Sequence, residues 1–221
     1  VDAPRRSDLL NLYPIADYHL GMQSWGEETG DDWDTSIAEE LIKRWFDAAI
    51  GQAPNAEMAV LALLGDFLHW DGMEAVTPAS GHLLDADTRF SKVVRVAIQV
   101  IRHIVRVLLT KHGKVHLIAC EGNHDPAGSI WLRELFAMFY EDEPRVTVDT
   151  NPDPYYAYEF GSNALFFHHG HKRKIGSVDT VFAAKFREMF GRTKFAYAHL
   201  GHLHSVDKKE TNLMIVEQHR T

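Results

Sequence analysis

A chain of 221 residues with 45% hydrophobic and 24% charged content is long enough for one large domain with a sizeable core, and it is read here as a single domain over 1–221. No apolar run reaches the roughly 18 residues that a membrane span needs, and a formal net charge of −8 argues against a generally basic nucleic-acid surface while leaving room for a local basic patch. One cysteine excludes an internal disulfide framework and suits a reducing, cytoplasmic setting. Val1 at the start suggests a trimmed chain, and nothing near it reads as a signal peptide.

Asn11 to Ala16 reads as a short strand that leads into Asp17-Tyr18-His19. The segment from Gly21 to Asp34, rich in glycine and acidic residues, reads as a loop carrying Trp25 and Trp33. Ser36 with Glu39 has the form of a capping box, and Ile37, Leu41, Ile42, Trp45, Phe46 and Ala49 recur at helical spacing up to Gly51. Ala59 to Leu64 is a continuous apolar run of the kind that makes a buried strand, and it discharges into Gly65-Asp66-Phe67-Leu68-His69. Residues 71–87 lack periodicity and form a long loop, a feature that usually carries function.

Thr88 to Lys111 has the pattern of a long amphipathic helix ended by Gly113, with Arg95, Gln99, Arg102 and Arg106 on its solvated side. Val115 to Ala119 is a second buried strand, followed by Cys120-Glu121-Gly122-Asn123-His124-Asp125. A helix follows over Ser129 to Tyr140, with Ile130, Trp131, Leu135, Phe136 and Phe139 expected inward. Short strands are expected at Val146 to Val148, Tyr155 to Phe160, and Ala164 to Phe167, the last running into His168-His169-Gly170-His171. A helix over Asp179 to Phe190 precedes a strand at Phe195 to Ala198, which runs into His199-Leu200-Gly201-His202-Leu203-His204. Leu213 to Val216 is the last expected strand.

Five polar clusters thus recur at one kind of place, the carboxyl end of an expected strand, where open α/β sheets bind ligands. They are Asp17/His19, Asp66/His69, Asn123/His124/Asp125, His168/His169/His171 and His202/His204. Carboxylate, imidazole and amide oxygen without thiolate suit manganese, iron or zinc and exclude a cysteine-rich structural zinc site. The set exceeds what one ion needs, which points to two divalent metals about 3.5–4 Å apart. In extended backbone, residues i and i+2 face the same side, so Asp17 with His19, and His202 with His204, can share an ion. Asp66 after Gly65 has the charge and the two oxygens that a bridging ligand needs. Burying so many ionisable groups without metals would cost many kcal/mol.

The ordered set DYH, GDFLH, GNHD, HHGH and GHLH resembles the five-motif signature of the calcineurin-like metallophosphoesterases, spread from Asp17 to His204. The resemblance implies a four-layer α-β-β-α sandwich with two mixed β-sheets. It implies that Asp17, His19 and His204 hold one metal, that Asp66 bridges, and that Asn123, His169 and His202 hold the second. The metals would be manganese first, with iron, zinc and nickel as alternatives. His124 would be the general acid, oriented by Asp125. Family pattern favours His169 over His168 as ligand, since it precedes Gly170. His69 stands where many relatives have aspartate and is similar to the DNA-repair exonuclease branch.

The reaction implied is phosphoester hydrolysis, with nucleic acid as the first candidate substrate and a cyclic nucleotide, a nucleotide or a phosphoprotein as the alternatives. His69, His171, Lys172 and Arg173 are candidate substrate contacts, and Lys172-Arg173-Lys174 is the one basic cluster beside the motifs. Trp25, Trp33 and Trp70 either stack bases or pack loops. Cys120 reads as a small buried residue, and His82, His103, His112, His116 and His219 as ordinary hydrogen-bonded or solvated histidines. His199 either packs in the core or supports the ligands. No membrane partner is expected, and the sequence leaves the oligomeric state open, a homodimer included. Relatives continue for a strand or two beyond the last motif, so the C-terminus is expected to be cut short.

Overall fold

The computed structural model describes residues 4–221, and the start at Val1 lies outside them. The apolar runs become strands β1 (Arg6–Ile15), β2 (Ala56–Leu63) and β3 (Lys114–Ala119), which pair in parallel with the short β4 (Val146–Val148) in the order β1-β2-β3-β4. Helices α2 (Thr35–Gln52), α3 (Phe90–Lys111) and α4 (Pro126–Phe139) provide the crossovers, after the single turn α1 (Gly26–Thr29). The second sheet has the order β5-β6-β7-β9-β8, built from β5 (Tyr156–Phe160), β6 (Asn163–His168), β7 (Phe195–Leu200), β8 (Asp207–Glu210) and β9 (Ile215–Gln218). Here β5 and β8 run antiparallel to their neighbours, and β6, β7 and β9 are parallel. Helices α5 (Val178–Lys185) and α6 (Arg187–Arg192) lie between β6 and β7 in the chain.

Strand periodicity explains the layers. Ala59, Leu61 and Leu63 join α2, α3 and α4 residues such as Phe46, Ile101 and Phe136 in one cluster. Val60, Ala62 and Leu64, on the opposite face, meet Tyr156, Leu165 and Phe167 of the second sheet. The far face of that sheet, with Phe166 and Ala198, packs on Phe182 of α5. Two sheets face to face with helices outside is the expected sandwich, with the difference that only the second sheet is mixed, because every connection in the first half carries a helix. Among the described residues no helix is long and apolar enough to cross a membrane.

Several local expectations are corrected. The α2 cap is Asp34, whose carboxylate accepts from the Ile37 N–H at 2.7 Å, not Ser36, and Ile37, Leu41 and Trp45 face solvent. α4 starts earlier than expected because Pro126 at its first turn supplies a preset φ and Asp71 accepts from the Ala127 and Gly128 N–H groups. Its buried residues include Leu132, Arg133 and Phe136, while Ile130, Trp131 and Phe139 are exposed. The helix expected over 179–190 is interrupted at Phe186, whose φ of −109° and ψ of 39° are not helical. β8 has four exposed residues and gave no apolar signal.

Candidate metal centre

Register aligns the strand exits. Ile15 pairs with Leu63 and Leu63 with Ala119, so the loops that follow β1, β2 and β3 leave the sheet side by side. In the second sheet His168 pairs with Leu200, and the Gly201 N–H donates to the His169 carbonyl at 2.8 Å. Links between the sheets then close the site. The His202 N–H donates to both oxygens of Asp17, at 3.0 and 2.7 Å, and His169 Nδ1 lies 2.8 Å from the Leu64 carbonyl. Gly201 packs against this junction, where a Cβ would stand 2.6 Å from Asp17 Oδ2.

Backbone strain is confined to the same residues. Among the described residues, the non-glycine positions with positive φ are Asp17 (47°), His19 (48°), Asp66 (50°), His202 (79°) and His204 (51°). Left-handed backbone costs an L-residue roughly 1–2 kcal/mol, and it persists where surrounding structure and function demand it. All five are expected ligands.

The side chains fall into two groups. In the first, Asp17, His19 and His204 bring one donor atom each within 4.8 Å of one another. His204 Nε2 is 3.4 Å from Asp17 Oδ1 and 3.3 Å from His19 Nε2. In the second, Asp66, His169 and His202 meet the same limit, and Asn123 Oδ1 lies 2.9 Å from His169 Nε2. The Leu64 carbonyl can only accept, so His169 Nδ1 donates to it, and the opposite nitrogen, Nε2, is the one that faces Asp66 Oδ2 at 3.1 Å and is available to a metal. The structure therefore brings together all seven expected ligands, with His169 rather than His168 turned toward Asp66 and His202. His168 instead points to the Pro154 carbonyl at 2.9 Å and stacks on Tyr155.

Charge follows from burial. Asp17 is fully buried and Asp66 is 2% exposed. Burial would raise the Asp66 pKa, but the His169 ring and the His124 N–H overcome it and hold the carboxyl well below its usual range. Burial pushes His19 down to about 3 and His69 down to about 4, so these rings are neutral and able to ligate. The Asp17 contact raises the His204 pKa. Against its burial, the Asp66 contact likewise raises the His169 pKa, and carboxylates surrounded by imidazoles in a buried site are a donor set that fits divalent ions such as Mn²⁺, Fe²⁺ or Zn²⁺.

His124 is held differently from the expectation. Its Nδ1 donates to the His69 carbonyl at 2.8 Å, which leaves Nε2 as the ring nitrogen not engaged by that bond. Asp125, 1% exposed, is occupied elsewhere: Oδ1 accepts from the N–H groups of Asp66 and Gly122, and Oδ2 from that of Leu68, all at 3.1 Å. Its role is to tie two motif loops together, and His69 provides the orienting contact. Burial and the Asp66 charge push Asp125 up to about 7. The His69 ring is stacked on that of His124 at 5.6 Å, and its Nδ1 lies 3.2 Å from His19 Nδ1. A third grouping results, His19 with His69 and His124.

Of the expected substrate contacts, His171 leans on His169 and His202, and its buried Nδ1 has no partner. Lys172 is drawn into an ion pair with Glu121 at 2.7 Å, so the basic run is reduced to the exposed Arg173 and Lys174. Glu121 directly precedes the GNHD motif, and its pairing with Lys172 carries no signal in the sequence. Trp70 is 1% exposed and cannot stack a base, whereas Trp25 is open to solvent. A cavity of about 610 Å³ opens beside the first group, walled by Trp33, Leu83, Asp31, Asp32 and Asp85. One side of the centre is thus acidic and the other weakly basic.

No protein-family model matches the chain, and no curated protein does. Among solved structures it is similar to a conserved protein of Streptococcus pneumoniae TIGR4 described as a predicted phosphoesterase, at 13% identity and a TM-score of 0.37, over 95% of this chain and 70% of that one.

Proposed function

We propose that the chain is a calcineurin-like metallophosphoesterase, a hydrolase of phosphoester bonds that uses two divalent metals, manganese first. The supporting observation is the convergence of Asp17, His19, Asp66, Asn123, His169, His202 and His204 from five strand exits, five of them in left-handed backbone. Bound there, two such ions would polarise the phosphoryl oxygens and activate water for in-line attack. Asp17, His19 and His204 would hold one ion, Asn123, His169 and His202 the other, with the Asp66 carboxylate available to both. His124, with Nδ1–H fixed by the His69 carbonyl, releases a proton from Nε2 to the departing oxygen. His69, beside it, contacts a phosphoryl oxygen.

For substrate we propose a phosphodiester of nucleic acid, supported by His69 next to His124 and by the exposed Arg173, Lys174 and Trp25. A small diester such as a cyclic nucleotide is the second reading, favoured by the acidic wall of Asp31, Asp32 and Asp85, which repels a long polyanion. The deciding assay sets bis-p-nitrophenyl phosphate, single- and double-stranded DNA, and cyclic nucleotides side by side with Mn²⁺ and with EDTA. Hydrolysis that EDTA abolishes is expected. No hydrolysis of any of them with Mn²⁺ overturns the reading, and cleavage of cyclic nucleotides without DNA selects the second.

A further inference from the structure

The second sheet carries another group of ligand-type side chains, away from the strand exits already described. We infer that His199, Glu217 and His219 form a separate site for a divalent cation of the zinc type. His199 and Glu217 are paired neighbours on β7 and β9, so their side chains share a face, and His219 lies two residues beyond Glu217 on the same side. His199 Nδ1 faces His219 Nε2 at 3.0 Å, the rings are stacked at 5.2 Å, and Glu217 Oε2 lies 4.0 Å from His199 Nδ1. All three donor atoms fall within 4.8 Å of one another.

Two facing imidazole nitrogens can share only one proton. A cation between them satisfies both at once and draws in the carboxylate. Burial lowers the pKa of both rings, His199 to about 4, so both are unprotonated near neutrality as ligation requires. Zinc bonds of about 2.0–2.2 Å in tetrahedral geometry space the donors by about 3.3 Å, so the two ring nitrogens would part by about 0.3 Å and the Glu217 oxygen would close on His199 by about 0.7 Å. The other Glu217 oxygen is already fixed by Lys208 at 2.7 Å, and the His199 ring rests on Phe167, which limits how far the cluster can relax. Two nitrogens and one oxygen favour Zn²⁺, Co²⁺ or Ni²⁺ over Mg²⁺ or Ca²⁺.

The place suggests a bracing role. The His219 N–H donates to the Leu200 carbonyl at 2.8 Å, and Gln218 Nε2 donates to the Ser205 carbonyl at 3.1 Å, which bracket the loop bearing His202 and His204. A cation here would lock β9 to β7 directly behind that loop.

The test counts metal on the full chain after loading with Co²⁺ or Zn²⁺ and desalting. His219→Ala and, separately, Glu217→Gln should each lose one metal per chain relative to wild type, with the visible Co²⁺ spectrum reduced accordingly and hydrolysis of bis-p-nitrophenyl phosphate kept within about 3-fold. The readout is a difference, so it holds whether or not the strand-exit centre binds metal or the chain is a phosphoesterase. Unchanged metal content in a folded Glu217→Gln chain overturns the inference, as does loss of all metal together with activity. If His219→Ala does not fold, Glu217→Gln alone decides.

Discussion

Asp125 gives the sharpest test of how the centre is held. Asp125→Ala leaves the N–H groups of Asp66, Leu68 and Gly122 without their acceptor in a region closed to solvent. A buried donor left unpaired costs about 1–3 kcal/mol, and three would approach the upper part of that range threefold if nothing relaxed. Water entering the vacated space and relief of the buried carboxyl, already pushed up to about 7, offset part of this. A net loss of about 2–5 kcal/mol is expected, or roughly 1–2 M in urea midpoint for a chain of this size. Asp125→Asn keeps an oxygen for Asp66 and Gly122 and turns its amide toward the Leu68 N–H, so one donor is orphaned and the loss is about 1–3 kcal/mol. Urea titrations of metal-free wild type and both variants read these values. Because Asp125 does not touch His124, the pH profile of kcat should keep its shape in Asp125→Asn. A variant with wild-type stability and a displaced acid-side limb refutes the reasoning and returns Asp125 to the orienting role.

His124→Ala should keep its full metal content by elemental analysis and lose turnover by about 10²–10⁴-fold, the usual share of a general acid, so unchanged kcat removes that role. Gly122→Ala places a Cβ on the carboxylate and amide of Asp66, and a weakening of metal affinity by about 10–100-fold is expected in a competitive chelator titration. Burial pushes His168 down to about 4 from an unfolded value near 6.5. A depressed histidine is neutral in the folded chain and protonated more readily in the unfolded one, so its contribution is complete above about pH 6.5 and declines as pH falls toward 4, by about 3 kcal/mol. Metal-free His168→Phe should lose correspondingly less stability than wild type between pH 7 and 4.5, and parallel curves would contradict this. EDTA should lower the Tm of wild type measurably more than that of Asp66→Asn, which holds one carboxylate charge fewer for the ions.

The strand exits were legible because a buried parallel strand writes itself as an unbroken apolar run. Ala59 to Leu64 and Val115 to Ala119 can be little else, and the residues after them inherit a known place on the sheet. The α4 face was not legible, because apolar residues lie all round that helix. Only the start fixed by Pro126 and Asp71 decides that Leu132 and Phe136 turn inward and Trp131 outward. β8 exists through its pairing with β9, and Asp207-Lys208-Lys209-Glu210 has no intrinsic strand signal. The work of Asp125 is a contact between two loops distant in the chain, and so is the meeting of His199 with His219. Spacing along a sequence carries no trace of either.

The left-handed residues have a consequence for how this chain could change over time. At His19, His202 and His204 a glycine would relieve the backbone by roughly 1 kcal/mol each, whereas at Asp17 and Asp66 it would also strip the acceptor from the His202 and His124 N–H groups. Random substitution followed by selection for thermal robustness should therefore erode the three histidine positions before the two carboxylates, while selection for turnover preserves all five. A lineage that had lost its chemistry would betray itself by glycines at the three strained histidine corners, well before its core had drifted.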